Sequence, residues 1–391
     1  MNRETELALI EEIGKLLAGG TTSMAPGVAH VEVAKLVGAT RTRSERDVLF
    51  RRYPQVVAPS AAVPAPGNFI TEDIAGMPLL IVRDSEGVVR VMVNACRHRG
   101  NRLTNEASGN RRMFSCAYYA WTYNQQGTCR SIVDKVGFEG VDRKDLGLVT
   151  FPTEERHGLI WMLPNANASL DVASYLGTEL DAELAGYLPH TSHVFESEHS
   201  TQQFNWKFGV NTFQELFHLA FLHKATLGKS FISNVSAFRS YRPHQRLTVA
   251  RSTFPELLTK SEEERSLFPH CSLVYMLFPN VILTWQLDHI ELWRMSPSAD
   301  DDGSCDVALW LMTNRAPETE SATRHWRRNW EVVMNTVYGE DFATMKTIQD
   351  NMSTGLLQKI VYGRNEIGLQ DYHHNITAAV EGAQLAGGVT R

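Results

Sequence analysis

Two short stretches, 94-NACRHRGNRL-103 and 116-CAYYAWTYNQQG-127, constrain this chain more than any other feature. They set Cys96-x-His98 and Cys116-x-x-Tyr119 seventeen residues apart. Mixed thiol and imidazole pairs at such spacing suit a metal site built from two adjacent loops, each supplying one ligand of each kind. Gly100, two residues after His98, suits a tight loop, because glycine permits positive φ and close backbone approach. The second pair ends in Tyr119, where a second histidine would complete the set. On these residues alone, two core cysteines beside a surface histidine remains an open reading.

The surrounding texture predicts what carries the loops. From 54 to 165, Pro- and Gly-bearing turns separate the short runs FITEDI, PLLIVRD, VVRVMVN, RMFSCAY and GLIWML. Their alternation and β-branched content predict strands. Ahead of them, Leu7, Ile10, Ile13, Leu16 and Leu17 fall at helical spacing before Gly19-Gly20, and 43–53 reads as a second short helix. Beyond them, 176–188 and 205–228 read as helical, 243–315 as strands, and 317–362 as helical with a stripe of Trp326, Trp330, Val333, Met334 and Val337. The break near 165–175, in PNANASLDVAS, carries turn-forming Pro and Asn. The expected fold is α+β in three parts. These are an N-terminal helical segment (1–53) packed on the C-terminal domain, a mostly-β domain (54–168) and a larger α+β domain (169–391).

Composition excludes several classes. A net charge of −6 gives no reason to expect nucleic acid or an anionic membrane as the main partner. The start, MNRETELALIEEIGKLL, does not read as a signal peptide, and runs such as 78-PLLIV-82 are too short to span a bilayer. A cytoplasmic protein is expected. Five cysteines are few and odd in number, which argues against a disulfide framework. Cys129, Cys271 and Cys305 have no ligand-spaced neighbour and are expected in the core.

A second constellation lies in 205-NWKFGVNTFQELFHLAFLHK-224. Five positions separate His218 from His223. On an ideal helix that is an angle of about 140°, so convergence on one metal needs a break, a kink or a π-type distortion between them. Glu215 precedes His218 by three, on the same helical face. Two histidines and a distant carboxylate form the facial triad of mononuclear non-heme iron(II), which leaves positions open for oxygen and substrate. The plainer alternative is an amphipathic helix with Phe213, Leu216, Phe217 and Phe221 as core.

Together the motifs carry a family resemblance over nearly the whole chain. The cysteine-bearing stretches resemble the Rieske domain of the large subunit of ring-hydroxylating oxygenases, whose pattern reads C-x-H-R-G and then C-P-Y-H-G-W-x-Y. NWKxxxNxxxExxHxxxxH is similar to that family's catalytic-domain motif and is complete here. The resemblance implies a Rieske domain followed by a helix-grip catalytic domain, an antiparallel sheet with long helices. It implies a [2Fe-2S] Rieske cluster on Cys96, His98 and Cys116, with Tyr119 at the position of the second histidine. Ala117 and Ala120 replace the family's proline and glycine. It further implies Fe(II) on His218 and His223, with dioxygen as co-substrate. Asp341 is the implied third ligand, because 339-GEDFATMKTIQDNMSTGL-356 carries Gln349 eight positions later; Asp350 is a competitor. Glu215 and Asn211 take catalytic roles by position. Glu215 would bridge an iron-ligand histidine to a cluster ligand of the neighbouring chain in a homotrimer, or in an α3β3 assembly with a small subunit. The chain has no nucleotide-binding glycine fingerprint. Electrons from NAD(P)H would therefore come from a separate reductase, in some systems through a ferredoxin.

The expected function is that of a terminal oxygenase component. It would activate dioxygen to hydroxylate, singly or as a cis-diol, an aromatic or similar small organic substrate. Phe208, Phe217, Phe221 and Leu222 are the candidate pocket residues, with some of Tyr275, Phe278, Trp285 and Trp293. A quaternary ammonium substrate undergoing monooxygenation or oxidative N-demethylation is an alternative, since aromatic residues bind such cations. Two others are a non-catalytic partner subunit of an intact homologue and a plain ligand-binding protein. Tyr119 bears on the choice. A phenolate in place of an imidazole adds negative charge, lowers a cluster's potential and misplaces the donor atom, so the cluster is expected to be impaired or altered.

Overall fold

The structure, a computed structural model, describes residues 1–134, 136–186 and 192–387. It divides into two compact units: Phe50–Tyr175, and Met1–Leu49 together with Leu176–Arg391.

In the first unit the turn-separated runs form antiparallel strands. A five-stranded sheet orders Thr150–Phe151, Val89–Val93, Met77–Arg83, Asn68–Ile74 and Ser108–Asn110, and a three-stranded sheet orders Thr153–Arg156, Leu159–Met162 and Gln55–Pro59. A small third sheet, Met113–Ser115, Thr122–Asn124 and Cys129–Ser131, carries residues 116–121 at its first hairpin tip. Phe69, Leu80, Val82, Met92, Phe114, Trp121 and Tyr123 pack with Cys96 and Cys116 into one buried cluster, so the two cysteine loops rest on the core that holds the sheets.

The second unit is built on a seven-stranded antiparallel sheet. Its order is His193–Gln202, Cys305–Thr313, Ile290–Pro297, Val281–Trp285, Cys271–Leu277, His244–Arg251 and Phe231–Tyr241. The five central strands are those expected over 243–315. The outer pair, His193–Gln202 and Phe231–Tyr241, was not expected. Both are half-buried, so neither shows the continuous apolar run of a central strand. The helix Arg3–Ala18 packs on Phe231–Tyr241, and Ser23 N–H donates to Ser236 O at 3.0 Å. Cys129, Cys271 and Cys305 are buried free thiols.

Three helical expectations change. Residues 205–228 are not one helix: Trp206–Asn211 is a short helix, and 212–230 is irregular apart from a 3-10 turn at Phe217–Ala220. The stretch 317–362 divides into Glu320–Val333, a π-helical segment Met334–Asp341, and Phe342–Ser353; its end, Lys359–Tyr362, is a strand paired with Ala29–Glu32. Over 176–188 the helix is Thr178–Ala185, and residues 187 and 188 lie outside the described residues.

The motif residues Asn205, Trp206 and Lys207 are structural. Lys207 is fully buried and donates to Glu45 Oε2 at 2.6 Å; Trp206 Nε1 donates to the same oxygen at 3.2 Å, and Arg41 holds Glu45 Oε1 at 2.7 Å. Asn205 caps the short helix through Lys207 N, and its own N–H donates to Gln349 Oε1 at 3.1 Å. The helix Ala39–Arg52 and the helix Phe342–Ser353 are thus pinned to the start of the iron motif.

Removing one member of such a buried pair strands the other charge. Lys207→Met is expected to destabilise this unit by about 3 kcal/mol, the lower end of the usual range because Arg41 still holds Glu45. The double variant Glu45→Leu/Lys207→Met should recover most of that loss. Urea unfolding followed by tryptophan fluorescence reads both, and a single variant within about 0.5 kcal/mol of wild type would refute the assignment.

Candidate functional site

The short helix ends at Asn211 because the chain beyond it finds other hydrogen bonds. Glu215 accepts from the backbone N–H of Phe217 at 2.5 Å and of His218 at 3.3 Å, in place of helical carbonyl partners. Gly228 N–H then donates to His223 O at 2.8 Å, and a Cβ at Gly228 would sit 2.9 Å from that same carbonyl oxygen, so the turn needs glycine. This irregular path lets His218 and His223 face each other, with ring centroids 5.1 Å apart.

The third arm comes from the π-helical segment. One extra residue per turn re-aims side chains relative to an α-helix, and here Glu340 and Asp341 both reach the histidines. His218 Nε2 lies 3.7 Å and His223 Nε2 3.2 Å from Asp341 Oδ1. One ligand atom from each of His218, His223 and Asp341 falls within 4.8 Å of the others, and they form the one such group of potential metal ligands among the described residues. Asp350, the competitor, is exposed and paired with Lys346 at 2.6 Å.

The outer nitrogens are also held. His218 Nδ1 donates to Glu215 Oε1, and His223 Nδ1 donates to Glu340 Oε2 at 2.5 Å. Thr226 Oγ1 donates to the same Glu340 oxygen at 2.8 Å, and Thr212 Oγ1 donates to Asp341 Oδ1 at 2.8 Å. A carboxylate on Nδ1 fixes the tautomer and leaves the Nε2 lone pair for a metal. Burial pushes the pKa of His223 down, and Asp341 and Glu340 outweigh it and raise it. Two imidazoles and a carboxylate on one side of a space, each outer atom already bonded, fit a divalent iron with open positions.

Two cavities flank this group. One, of about 230 Å³, is lined by His218, His223 and Asp341 with Phe213, Leu216, Leu219, Val274 and Val337, and also by Arg251, Gln286, Asp288, His289 and Glu291. The other, of about 490 Å³, is lined by Asn211, Glu215, His218 and Asp341 with Tyr362 and Glu366. Asn211 faces this second space, with its Oδ1 3.0 Å from Nε2 of the buried His373, whose pKa burial lowers to about 3.

The expected pocket residues do not line the first cavity. Phe208 and Leu222 line the second. Phe217 and Phe221 are 47% and 70% exposed and meet edge to face, with ring centroids 5.3 Å apart. Their placement follows from the lost helix, whose faces had defined their direction. Tyr275, Phe278, Trp285 and Trp293 also lie outside its lining. Side chains alternate along a strand, so Ser272 and Val274 point into the cavity while Tyr275 points away and bonds Glu183. Sequence reasoning missed Glu340 and the polar lining residues. The signals were a second carboxylate beside Asp341, and charged residues (Arg251, Glu291) inside otherwise apolar strands.

In the other unit, Cys96 and Cys116 lie within hydrogen-bonding reach of each other. The Tyr123 hydroxyl accepts from Arg97 N at 3.0 Å and lies 3.3 Å from Cys96 Sγ, and Asn101 Nδ2 donates to Cys116 Sγ at 3.7 Å. The His98 ring stacks on Trp121 at 4.8 Å and meets the Tyr119 ring edge-on, also at 4.8 Å. Tyr119 is 44% exposed and leans on Tyr118, which takes a hydrogen bond from Arg99. Ala120 sits at φ 53°, the left-handed region where glycine is unstrained, and its N–H closes the loop onto Cys116 O at 2.8 Å. Two thiols and one imidazole here fit a Rieske cluster; the residue beside the imidazole offers a phenol oxygen instead of a nitrogen.

Asp341→Asn is expected to abolish stoichiometric iron binding while Asp350→Asn leaves it intact. Glu340→Gln should weaken iron binding about 10- to 100-fold, the usual cost of losing a ligand's hydrogen-bond partner. Iron per chain after dialysis against graded chelator measures all three. Equal retention by Asp341→Asn and wild type would refute the triad.

Comparisons with known proteins fall on these units. The family model for the Rieske [2Fe-2S] domain matches residues 53–141, and that for the ring hydroxylating alpha subunit (catalytic domain) matches 189–382. Biphenyl 2,3-dioxygenase subunit alpha of Rhodococcus jostii (strain RHA1) is 30% identical over 180 residues, 44% of this chain and 39% of its own length. The glycine betaine monooxygenase oxygenase subunit of Chromohalobacter salexigens is 30% identical over 172 residues, 44% of this chain and 38% of its own. The chain thus spans about two fifths of the length of these curated relatives. Among solved structures, the quaternary ammonium Rieske monooxygenase CntA with L-carnitine aligns at a TM-score of 0.77, with 18% identity over 90% of this chain and 96% of that one. Naphthalene 1,2-dioxygenase with indole aligns at 0.70, with 19% identity over 93% and 96%. These structures share the α+β fold. No helix among the described residues is long and apolar enough to cross a membrane. The chain belongs to the ring-hydroxylating oxygenase family, as an alpha-type chain with a Rieske domain ahead of its catalytic domain.

Proposed function

We propose that this chain is the terminal oxygenase component of a reductase-fed system, acting on a small, largely apolar organic molecule. The observation that carries the reading is the convergence of His218, His223 and Asp341 on a cavity walled by Phe213, Leu216, Leu219, Val274 and Val337. Iron(II) held by such a triad supplies dioxygen activation at its open positions, and a Rieske cluster supplies electrons one at a time. The chain's own groups do the positioning. Glu215 and Glu340 orient the two imidazoles. The apolar wall excludes water and holds the substrate against the metal-facing atoms. Hydroxylation, singly or as a cis-diol, is the reaction class. Electrons would pass from the cluster loop of one chain to Glu215 and His218 of the next within a trimer. The second cavity, where Glu215 and Asn211 meet His218, supports this. Cys96, His98 and Cys116 would hold the cluster with Tyr119 as the altered fourth position.

A second reading is a non-catalytic partner subunit, and Tyr119 favours it. An exposed phenol beside His98 replaces the neutral donor at the point where electrons would leave the cluster. A quaternary ammonium substrate finds support in the similarity to CntA and to the glycine betaine enzyme's oxygenase subunit.

Iron and acid-labile sulfide analysis of the unmodified chain and of Tyr119→His separates these. Tyr119→His is expected to carry about three irons and two sulfides per chain, the sum of one cluster and one mononuclear site. The unmodified chain should carry less sulfide, or a cluster with a shifted visible spectrum and altered g-values. A Rieske spectrum in the unmodified chain that Tyr119→Phe leaves unchanged would overturn the role given to Tyr119. Single-turnover product with added peroxide supports the catalytic reading, and its absence in iron-loaded protein supports the partner reading.

A further inference from the structure

Most residues lining the first cavity are buried or half-buried, and its exposed side chains come from two places. Leu287 and Asp288 form the tip of the turn 286–289, between the strands Val281–Trp285 and Ile290–Pro297, and Leu287 is 49% exposed. Opposite them, His325, Asn329 and Val332 line the cavity from the helix Glu320–Val333. Steps of four and three residues put these side chains on one helical face. Val332 is 43% exposed and the His325 side chain 45%. The mouth of the cavity therefore lies between the turn and this helix face.

A hydrogen bond crosses that mouth. His325 Nε2 donates to Asp288 Oδ2 at 2.7 Å, and Asn329 Nδ2 lies 3.2 Å from the same nitrogen. The ends of the turn are fixed independently of this bond. Gln286 N–H donates to His289 O at 3.0 Å, and Gln286 Oε1 accepts from Arg251 Nη2 at 2.7 Å and Ser272 Oγ at 3.1 Å. His289 is buried, faces Glu291 Oε1 at 3.6 Å, and meets the Trp326 ring of the helix at 5.8 Å. The tip has less to hold it. The Asp288 carboxylate is divided between its neighbour His289, at 3.0 Å from Nδ1, and His325. Burial pushes the Asp288 carboxyl up, and the two imidazoles outweigh it and hold it below the usual carboxylate range.

The strength of this contact suits opening. Both side chains are close to half exposed, at 45% and 44%. An exposed pair of this kind favours a closed state over an open one by about fivefold at most. It can shut the mouth without sealing it. With the ends of the turn anchored, breaking the bond frees Leu287 and Asp288 to leave the helix face while the sheet behind them stays in place.

We propose that the contact between Asp288 and His325 is the gate of this cavity, and that substrate enters and leaves when it breaks. This rests on the oxygenase reading given above. Neither residue bonds to His218, His223 or Asp341 among the described residues, so their part is in access rather than in chemistry. A closed gate keeps water from the apolar wall during the reaction, and an open one exposes the passage between Leu287 and Val332. A gate has a kinetic signature that a wall contact lacks. Weakening it speeds entry and exit by the same factor and leaves the equilibrium unchanged.

The test uses the full chain loaded with iron(II) and naphthalene as the probe, with binding followed by stopped-flow fluorescence. His325→Ala is expected to raise the association and dissociation rate constants together, about two- to fivefold, with Kd within about twofold and iron content unchanged. Asp288→Ala removes the same bond from the other side and should act alike, and the double variant should add little to either. Arg324→Ala, on the same helix but paired with Glu320 outside the cavity lining, should leave both rates as they are. Unchanged rate constants in both single variants overturn the gate. So does a change confined to dissociation, which marks the pair as a wall contact. If the gate falls while naphthalene still binds and is hydroxylated with peroxide, the oxygenase reading stands. If naphthalene neither binds to nor reacts with any of the iron-loaded proteins, both fall.

Discussion

The contact between Lys207 and Glu45 holds the catalytic unit to its geometry. An ammonium and a carboxylate, each with no exposed side-chain surface, meet at 2.6 Å at the first turn of the iron motif. Their mutual pairing is the condition for burying either. The Trp206 indole and Arg41 share the same carboxylate, and Asn205 ties the turn to Gln349. With the motif's first residues clamped, the helix Trp206–Asn211 has a fixed exit, and Thr212 delivers its hydroxyl to Asp341. The stability of the pair and the placement of the metal-facing atoms are therefore one problem.

From that exit the chain gives up regular structure to form the site. Three carboxylates (Glu215, Glu340 and Asp341) gather around two imidazoles, an arrangement that would repel itself without hydrogen bonds and a cation to offset it. The helix is lost after Asn211 because Glu215 turns inward to take backbone N–H groups. On the opposite side a π-helical segment carries adjacent residues Glu340 and Asp341 to a single histidine. Gly368 completes the enclosure: a Cβ there would sit 2.4 Å from Gln214 O, so only glycine lets the helix Ile367–Gly387 approach.

The cluster loops show a different economy. They lean on the same core as the sheets, and their thiols receive donors from Tyr123 and Asn101. Hydrogen bonds of that kind raise a cluster's potential, whereas a phenolate ligand would lower it. Tyr119 therefore opposes the remainder of its own loop. The left-handed Ala120 beside it adds a strained residue where the family pattern carries glycine.

The sequence by itself determined the central strands of the large sheet and the candidate ligands Cys96, His98, Cys116, His218 and His223, while Asp341 came with the family resemblance. Periodicity and motif spacing are local properties and survive in one dimension. It also signalled that a helix through both His218 and His223 could not serve one metal, because five positions place side chains on different faces. How the chain resolved this was decided only in three dimensions. Glu340 on His223 and Thr212 on Asp341 join residues 117 and 129 positions apart, and only the folded chain brings them to the break that Glu215 makes after Asn211. The positions of Phe217 and Phe221 have a local cause: their expected direction came from a helix that the side-chain-to-backbone bonds of Glu215 outcompeted.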